Sequence, residues 1–87
     1  MSETHEIRLK RLYMRSIRRG IKEMDVILEH FAKANLDKLS PKELDLYEAL
    51  LDENDQDLYL WVSGQQQEPV YFQPIVATIK AQSHFPD

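Results

Sequence analysis

The stretch SPKELDLYEALL, residues 40–51, contains the clearest helix start in the sequence and points to the fold class. Ser40 can accept a hydrogen bond from the backbone N–H of Glu43, and the Glu43 side chain can reach back to Ser40, which is a capping box. Pro41 suits the first helical position because an N–H there would have no partner within the helix. The helix that follows would carry the apolar residues Leu44, Leu46, Tyr47, Leu50 and Leu51. A helix is therefore predicted to begin at Pro41.

Two amphipathic helices are predicted before this one. The first runs from about His5 to Arg18, with apolar residues at mostly helical spacing and bases on the opposite face. The second follows Gly20 and runs to about Lys33. The apolar stripes comprise Ile7, Leu9, Leu12, Tyr13 and Ile17 in the first helix, and Ile21, Met24, Ile27, Leu28 and Phe31 in the second.

Two shorter helices are predicted after it. Asp55 is expected to cap a helix that carries Trp61 into the core and ends at Gly64 in the position after the C-cap. The last helix is expected to begin between Val70 and Pro74, with the proline in its first turn.

Helical spacing dominates the chain, since glycine is rare and no strict alternation of apolar and polar residues persists. The sequence therefore predicts an all-α fold, a compact five-helix bundle. The bundle is expected to form a single domain over residues 1–87, with residues 1–4 and 84–87 frayed at the ends.

The bulk composition excludes several classes of protein. The 87 residues include no cysteine, which excludes disulfides, thiolate metal sites and thiol nucleophiles. No apolar run approaches the roughly 20 residues that span a bilayer, and no signal-peptide pattern begins the chain, so we expect no membrane partner. The expected location is the bacterial cytoplasm, or the mitochondrial matrix if a transit peptide has been removed.

Charge is distributed unevenly along the chain. Residues 1–22 carry seven bases and two acids, whereas residues 23–87 carry four bases and thirteen acids. The basic helix could bind an acidic partner or fold against the acidic remainder of the chain, and both explanations stay open. A helical regulatory module that binds protein or nucleic acid through this helix is the alternative function. We expect no nucleic-acid partner, because most of the surface would repel a duplex.

No arrangement of residues indicates catalysis or a bound metal. The three histidines, His5, His30 and His84, are far apart in sequence and lack metal-ligand spacing. The segment DENDQDLYLWVS has a partial calcium-loop pattern, but Asp57 replaces the required glycine and Ser63 the bidentate glutamate. Glycine-rich phosphate loops are absent. We therefore expect no enzyme activity, no metal and no cofactor bound by the chain itself.

The stretch RRGIKEMD, residues 18–25, is the candidate functional motif. If the helix continued through it, Arg19 and Glu23 would share a face and form an ion pair beside a glycine joint. Alternatively, the bare backbone of Gly20 lets a partner approach while the neighbouring guanidinium groups bind its carboxylates or phosphates. Both interpretations remain open on the sequence.

This stretch resembles the RGxxE signature of the SdhE family of FAD assembly factors, which is called succinate dehydrogenase assembly factor 2 in mitochondria. The later stretch LLDENDQDLYLWVSG, residues 50–64, resembles the second motif of that family, with two leucines, an acidic turn, an Asp-Leu-aromatic sequence and a tryptophan. The two motifs occur in the expected order and spacing. The C-terminal segment, residues 65–87, matches no signature of the family.

The resemblance implies a five-helix bundle that binds the flavoprotein subunit of succinate dehydrogenase, and in some bacteria that of fumarate reductase. The family acts as a chaperone in complex II assembly: it promotes covalent attachment of the partner's FAD to a histidine of that subunit by holding the FAD and capping domains in position. We expect a monomer when the protein is free. Carried over to this sequence, the flavoprotein-binding residues are Arg18, Arg19, Gly20, Glu23, Asp25, Asp55 and Asp57.

Overall fold

The computed structural model describes residues 3–82, in which every regular element is a helix. The five α-helices are α1 (His5–Ser16), α2 (Lys22–Asn35), α3 (Pro41–Leu51), α4 (Asp55–Val62) and α5 (Gln73–Gln82), and 3₁₀ turns occupy Leu36–Lys38 and Val70–Phe72. The Cα radius of gyration is 12.3 Å, close to the roughly 12 Å expected of a compact chain of this length. The predicted all-α five-helix bundle is confirmed. Its extent over residues 1–87 stays a prediction, and the expected fraying at residues 1, 2 and 84–87 lies outside the described residues.

Local signals set the helix starts. The capping box is present at α3: the Glu43 N–H donates to Ser40 Oγ at 3.1 Å and the Ser40 N–H donates to Glu43 Oε1 at 2.9 Å. At α4 the prediction that Asp55 is the N-cap is wrong. Asn54 has the extended backbone of an N-cap and accepts from the Gln56 N–H at 2.8 Å, so Asp55 is the first helical residue. The Asp55 carboxylate does not cap the helix and is available for other contacts.

Two further details of the bundle were predicted correctly. Gly64 follows the C-cap of α4 with φ of +81°, in the left-handed region that glycine adopts without strain. Pro74 lies in the first turn of α5, where its missing N–H interrupts no helical hydrogen bond.

Each of the five helices contributes to one hydrophobic core. The fully buried large side chains are Leu12, Met24, Leu28, Phe31, Leu44, Tyr47, Leu50, Leu58, Val62, Ile75, Val76 and Ile79. Trp61 is 7% exposed and stacks on Phe72 with ring centroids 5.8 Å apart, as expected of a core residue. The apolar stripe predicted for α1 is buried only in part: Leu12 is fully buried, whereas Ile7 is 56% exposed. One side of α1 therefore faces solvent.

A row of ion pairs joins α1 and the segment that follows it to α3 and the start of α4. Arg8 pairs with Asp45 (2.6 Å) and Glu48 (3.1 Å), Arg11 with Glu48 (2.8 Å), Arg15 with Asp52 (2.5 Å) and Arg19 with Asp55 (2.5 Å). The sequence offset stays near 37 residues along the row, so α1 and α3 run in the same direction. The basic helix thus folds against the acidic remainder of the chain, which was one of the two explanations of the uneven charge.

These ion pairs shift the pKa values of the groups within them. A hydrogen bond from Arg11, with a second from Arg8, holds the pKa of the Glu48 carboxyl below its usual value. Glu3 also accepts from Arg11, which lowers the pKa of the Glu3 carboxyl. Both acids are therefore charged at neutral pH, and the positive charge of α1 is partly neutralised from within the protein.

Candidate protein-interaction site

Four helix ends meet around Arg19. Helix α1 ends at Ser16 rather than at Arg18 as predicted, and residues 17–21 form a non-helical connection to α2. This connection lies against the turn between the end of α3 and the start of α4. We call it the α1–α2 junction, and it contains three of the predicted site residues.

The Arg19 guanidinium fills the centre of this junction. It donates from Nε to Asp55 Oδ1 at 2.5 Å, from Nη1 to the Leu51 carbonyl at 2.8 Å and from Nη2 to the Glu53 carbonyl at 3.1 Å. A cation is favourable beside the Leu51 carbonyl at the C-terminal end of α3, and Asp55 in turn is favourable at the N-terminus of α4. Only 10% of the Arg19 side chain is exposed. Arg19 therefore braces the junction from within.

Two carboxylates fix the backbone on either side of this side chain. The Gly20 N–H donates to Asp55 Oδ2 at 2.6 Å, and the Arg19 N–H donates to Asp25 Oδ1. Asp55 thus binds both the side chain of Arg19 and the backbone of Gly20. A Cβ on Gly20 would lie 3.1 Å from Asp55 Oδ2, which is tighter than most real contacts. The φ of Gly20 is not in the left-handed region, so the backbone conformation does not require glycine at this position. Glycine is needed here because a carboxylate approaches closely.

The other predicted site residues lie on the surface around this junction. Arg18, Glu23 and Asp57 are exposed, and within residues 3–82 their side chains form no hydrogen bond or ion pair. The predicted ion pair between Arg19 and Glu23 is wrong, because Arg19 lies outside α2 and its carboxylate partner is Asp55. The structure therefore divides the predicted set into an internal brace and a solvent-facing group.

The individual ion pairs between the arginines and the acids of α3 and α4 were not predicted from the sequence. Arg8, Arg11, Arg15 and Arg19 recur every three or four residues through α1 and the junction, and their partners Asp45, Glu48, Asp52 and Asp55 recur at nearly the same spacing. Matching these two spacings is the signal that would have found the pairs. It also would have assigned Arg19 to Asp55.

The junction presents charged side chains and bare backbone to solvent. Within the described part of the chain, no three His, Asp or Glu side chains are grouped so that they could hold a metal ion. None of the helices in residues 3–82 has the length and hydrophobicity that crossing a bilayer requires. What the junction offers is an exposed guanidinium, exposed carboxylates and the accessible backbone of Gly20.

Comparison with known proteins identifies the family. The sequence model of a family described as "Flavinator of succinate dehydrogenase" matches residues 10–83, which include the whole junction and its acidic partners. A protein of Meyerozyma guilliermondii named "Succinate dehydrogenase assembly factor 2, mitochondrial" is 49% identical over 61 residues, covering 70% of this chain and 45% of that protein.

Two further relatives carry the same name. The protein of Scheffersomyces stipitis is 48% identical over 61 residues, covering 70% of this chain and 41% of the relative. That of Schizosaccharomyces pombe is 43% identical over 67 residues, covering 77% of this chain and 48% of the relative. The chain thus spans less than half the length of these three curated relatives. With the family model matched over most of its length, the chain belongs to the flavinator of succinate dehydrogenase family.

Proposed function

We propose that this protein is an assembly factor that binds the flavoprotein subunit of succinate dehydrogenase and promotes covalent attachment of FAD to a histidine of that subunit. Membership of a family described as a flavinator of this enzyme supports the assignment. One structural observation supports the location of the site: the signature residues Arg19 and Gly20 lie at a helix junction that Asp55 holds from within. The flavoprotein of fumarate reductase is proposed as a second partner for the same surface.

The residues of the site have different roles in this proposal. Arg19 acts as a positioning residue, because direct contact with a partner would require its guanidinium to give up three internal hydrogen bonds. Arg18, Glu23 and Asp57 make the charged contacts, since their side chains are exposed. Gly20 leaves room beside them for the partner's backbone. Asp25 supports the backbone of Arg19.

The chemistry of attachment takes place on the partner. The flavoprotein supplies both the attacking histidine and the FAD, and this protein holds the flavoprotein domains in the conformation in which the histidine reaches the flavin ring methyl. It acts as a chaperone and binds no cofactor of its own. It therefore has to be present where the flavoprotein receives FAD. In a bacterium this is the cytoplasm, and the names of the relatives place those proteins in the mitochondrion.

The proposal is tested by reconstituting flavin attachment with purified components. Flavoprotein subunit without covalent flavin is incubated with FAD and this protein, denatured, and analysed by in-gel flavin fluorescence. We expect Arg18→Glu and Glu23→Lys to slow attachment at least tenfold, because each reverses a charge on the proposed contact surface. Lys42→Glu is the matched control, since Lys42 is exposed in the first turn of α3, away from the junction.

The outcomes separate the function from the location of the site. If the wild-type protein does not raise the covalent flavin signal of any complex II flavoprotein, the proposed function is wrong. If it does so and both charge reversals act as the wild type does, the function stands and the site assignment is wrong.

Gly20 provides a graded test of close approach. In Gly20→Ala the Asp55 carboxylate has to shift by a few tenths of an ångström, so we expect the melting temperature to fall by no more than about 5 °C. Flavin attachment should slow with Gly20→Ala and be lost with Gly20→Arg, while both variants keep the helical circular dichroism of the wild type. Attachment at the wild-type rate by Gly20→Arg would refute a role for bare backbone at this position.

A further inference from the structure

The exposed side of α1 borders an apolar groove. This groove has a volume of about 430 Å³ and lies between α1 and the C-terminal end of α2 with its following 3₁₀ turn. Its apolar lining residues are Leu9, Tyr13, Met14, Ala32 and Leu36. Lys10 and Lys33 stand at its rim with one carboxylate, that of Asp37. The volume lies within the range of roughly 300–1,000 Å³ typical of binding clefts, which is ample for an apolar side chain.

A second groove continues along the same helix toward the junction. It has a volume of about 400 Å³ and is lined by Arg11, Met14, Arg15, Arg18 and Arg19. Arg15 uses only Nη2 in its pair with Asp52, and Arg18 forms no side-chain hydrogen bond within residues 3–82. A guanidinium has five N–H donors. Donors are therefore available in this groove despite the ion pairs formed with α3.

Met14 lines both grooves and is 43% exposed. Methionine is flexible and polarisable, and it adapts to the shape of an apolar partner. The two grooves thus form one continuous face along α1, apolar at one end and cationic at the end that reaches Arg18. This α1 face meets the proposed contact site at Arg18, which belongs to both.

We propose that the α1 face binds an acidic segment of the flavoprotein, which inserts one apolar anchor side chain beside Met14 and directs its carboxylates toward Arg15 and Arg18. The inference rests on the proposed function, which it extends with a second contact surface and the chemistry of its ligand. Charge complementarity favours an acidic ligand: among the described residues that line the grooves, Arg18 and Lys33 form no ion pair, and Asp37 is the carboxylate beside them. Arg15 adds N–H donors that its pair with Asp52 leaves unused.

Other occupants fit the α1 face less well. A nucleic acid would match the arginines and leave the apolar groove unfilled. In a second copy of this chain, Asp45, Glu48 and Asp52 are already engaged with the arginines of α1. An acidic segment with an apolar anchor uses both halves of the face.

The test is a binding titration of the whole protein with the flavoprotein subunit that lacks covalent flavin. Met14→Glu places a carboxylate where the apolar anchor and the ligand's own carboxylates are expected, so affinity should fall at least tenfold. Met14→Leu should stay within about twofold of wild type, because it conserves volume and hydrophobicity. Ile7→Glu is the matched control: Ile7 is an exposed apolar residue on the same helix and lines neither groove.

Each result decides the proposal. The proposal is supported if Met14→Glu loses affinity for the flavoprotein while Met14→Leu and Ile7→Glu keep it. The proposal is overturned if Met14→Glu binds the flavoprotein with wild-type affinity, or if Ile7→Glu loses as much affinity as Met14→Glu. It is also overturned if Met14→Glu changes only self-association or the binding of single-stranded RNA. If Glu23→Lys still slows flavin attachment in any of these cases, the proposed function survives without the α1 face, because Glu23 lines neither groove. If the wild-type protein neither binds the flavoprotein nor promotes attachment, both proposals are wrong.

Discussion

Replacing Arg19 by alanine should destabilise the protein more than replacing any other arginine of α1 and its junction. The change removes an ion pair and two hydrogen bonds to carbonyls from a side chain that is only 10% exposed. Breaking a buried ion pair costs about 3–5 kcal/mol. The Asp55 side chain is 20% exposed and keeps its bond from the Gly20 N–H, so we expect the lower end, about 3 kcal/mol.

Arg15→Ala is the matched control for this prediction. Arg15 belongs to the same row of ion pairs, but it makes one bond, and the Asp52 side chain that accepts it is 69% exposed. Such pairs contribute less than about 1 kcal/mol. Urea unfolding followed by circular dichroism gives both free energies, and the Arg19→Ala melting temperature should lie at least 10 °C below wild type, since about 1 kcal/mol shifts a domain of this size by 4–8 °C.

A double-mutant cycle separates the contact with Asp55 from the other effects of the substitution. Arg19→Ala and Asp55→Ala together should cost less than the sum of the single variants, with a coupling of about 1–3 kcal/mol. The brace is refuted if Arg19→Ala costs no more than Arg15→Ala, or if the cycle shows no coupling.

Two further predictions concern pH and the core. The hydrogen bond from Arg11 lowers the pKa of the Glu48 carboxyl below its ordinary value of 4.5. Glu48 therefore stabilises the protein fully at pH values above 4.5, and this contribution is lost as the pH falls through the lowered pKa. The difference in urea midpoint between wild type and Glu48→Gln should therefore shrink from pH 7 to pH 3. Burial raises the pKa of Tyr47 to about 12, and its hydroxyl donates to Ser16 Oγ, since the Ser16 proton goes to the Leu12 carbonyl. Tyr47→Phe should cost about 1 kcal/mol at neutral pH and should reduce the loss of stability that wild type shows from pH 10 to 12, as measured by urea unfolding.

The parts of the fold that could be predicted from the sequence depend on contacts within one helical turn. The capping box of Ser40 and Glu43 involves residues three positions apart, and Gly64 and Pro74 act through their own backbone. These signals act locally, so they gave the number of helices and most of their starts. The binding roles of the candidate residues remain predictions, because they depend on a second protein.

The errors in the fold occurred where distant contacts decide between local options. Asn and Asp are about equally good N-caps, so the sequence alone could not choose between Asn54 and Asp55. The choice follows from the contacts of Asp55 with Arg19 and Gly20, which lie more than thirty residues away in sequence. Asp25 likewise holds the non-helical backbone at Arg19, where helical spacing alone would have continued the helix.

The same contacts give a physical reason why two separate stretches of sequence belong to one site. The first, residues 18–25, supplies Arg19 and Gly20, and the second, residues 50–64, supplies Asp55 together with the carbonyls of Leu51 and Glu53. Neither stretch alone can form the junction, because each provides only donors or only acceptors to the other. If the exposed residues around Gly20 bind the flavoprotein, a defect at Asp55 in the second stretch reaches the partner through Arg19 and Gly20 in the first. Substitution of Asp55 should then impair binding in the same way as substitution of Arg19, without Asp55 touching the flavoprotein.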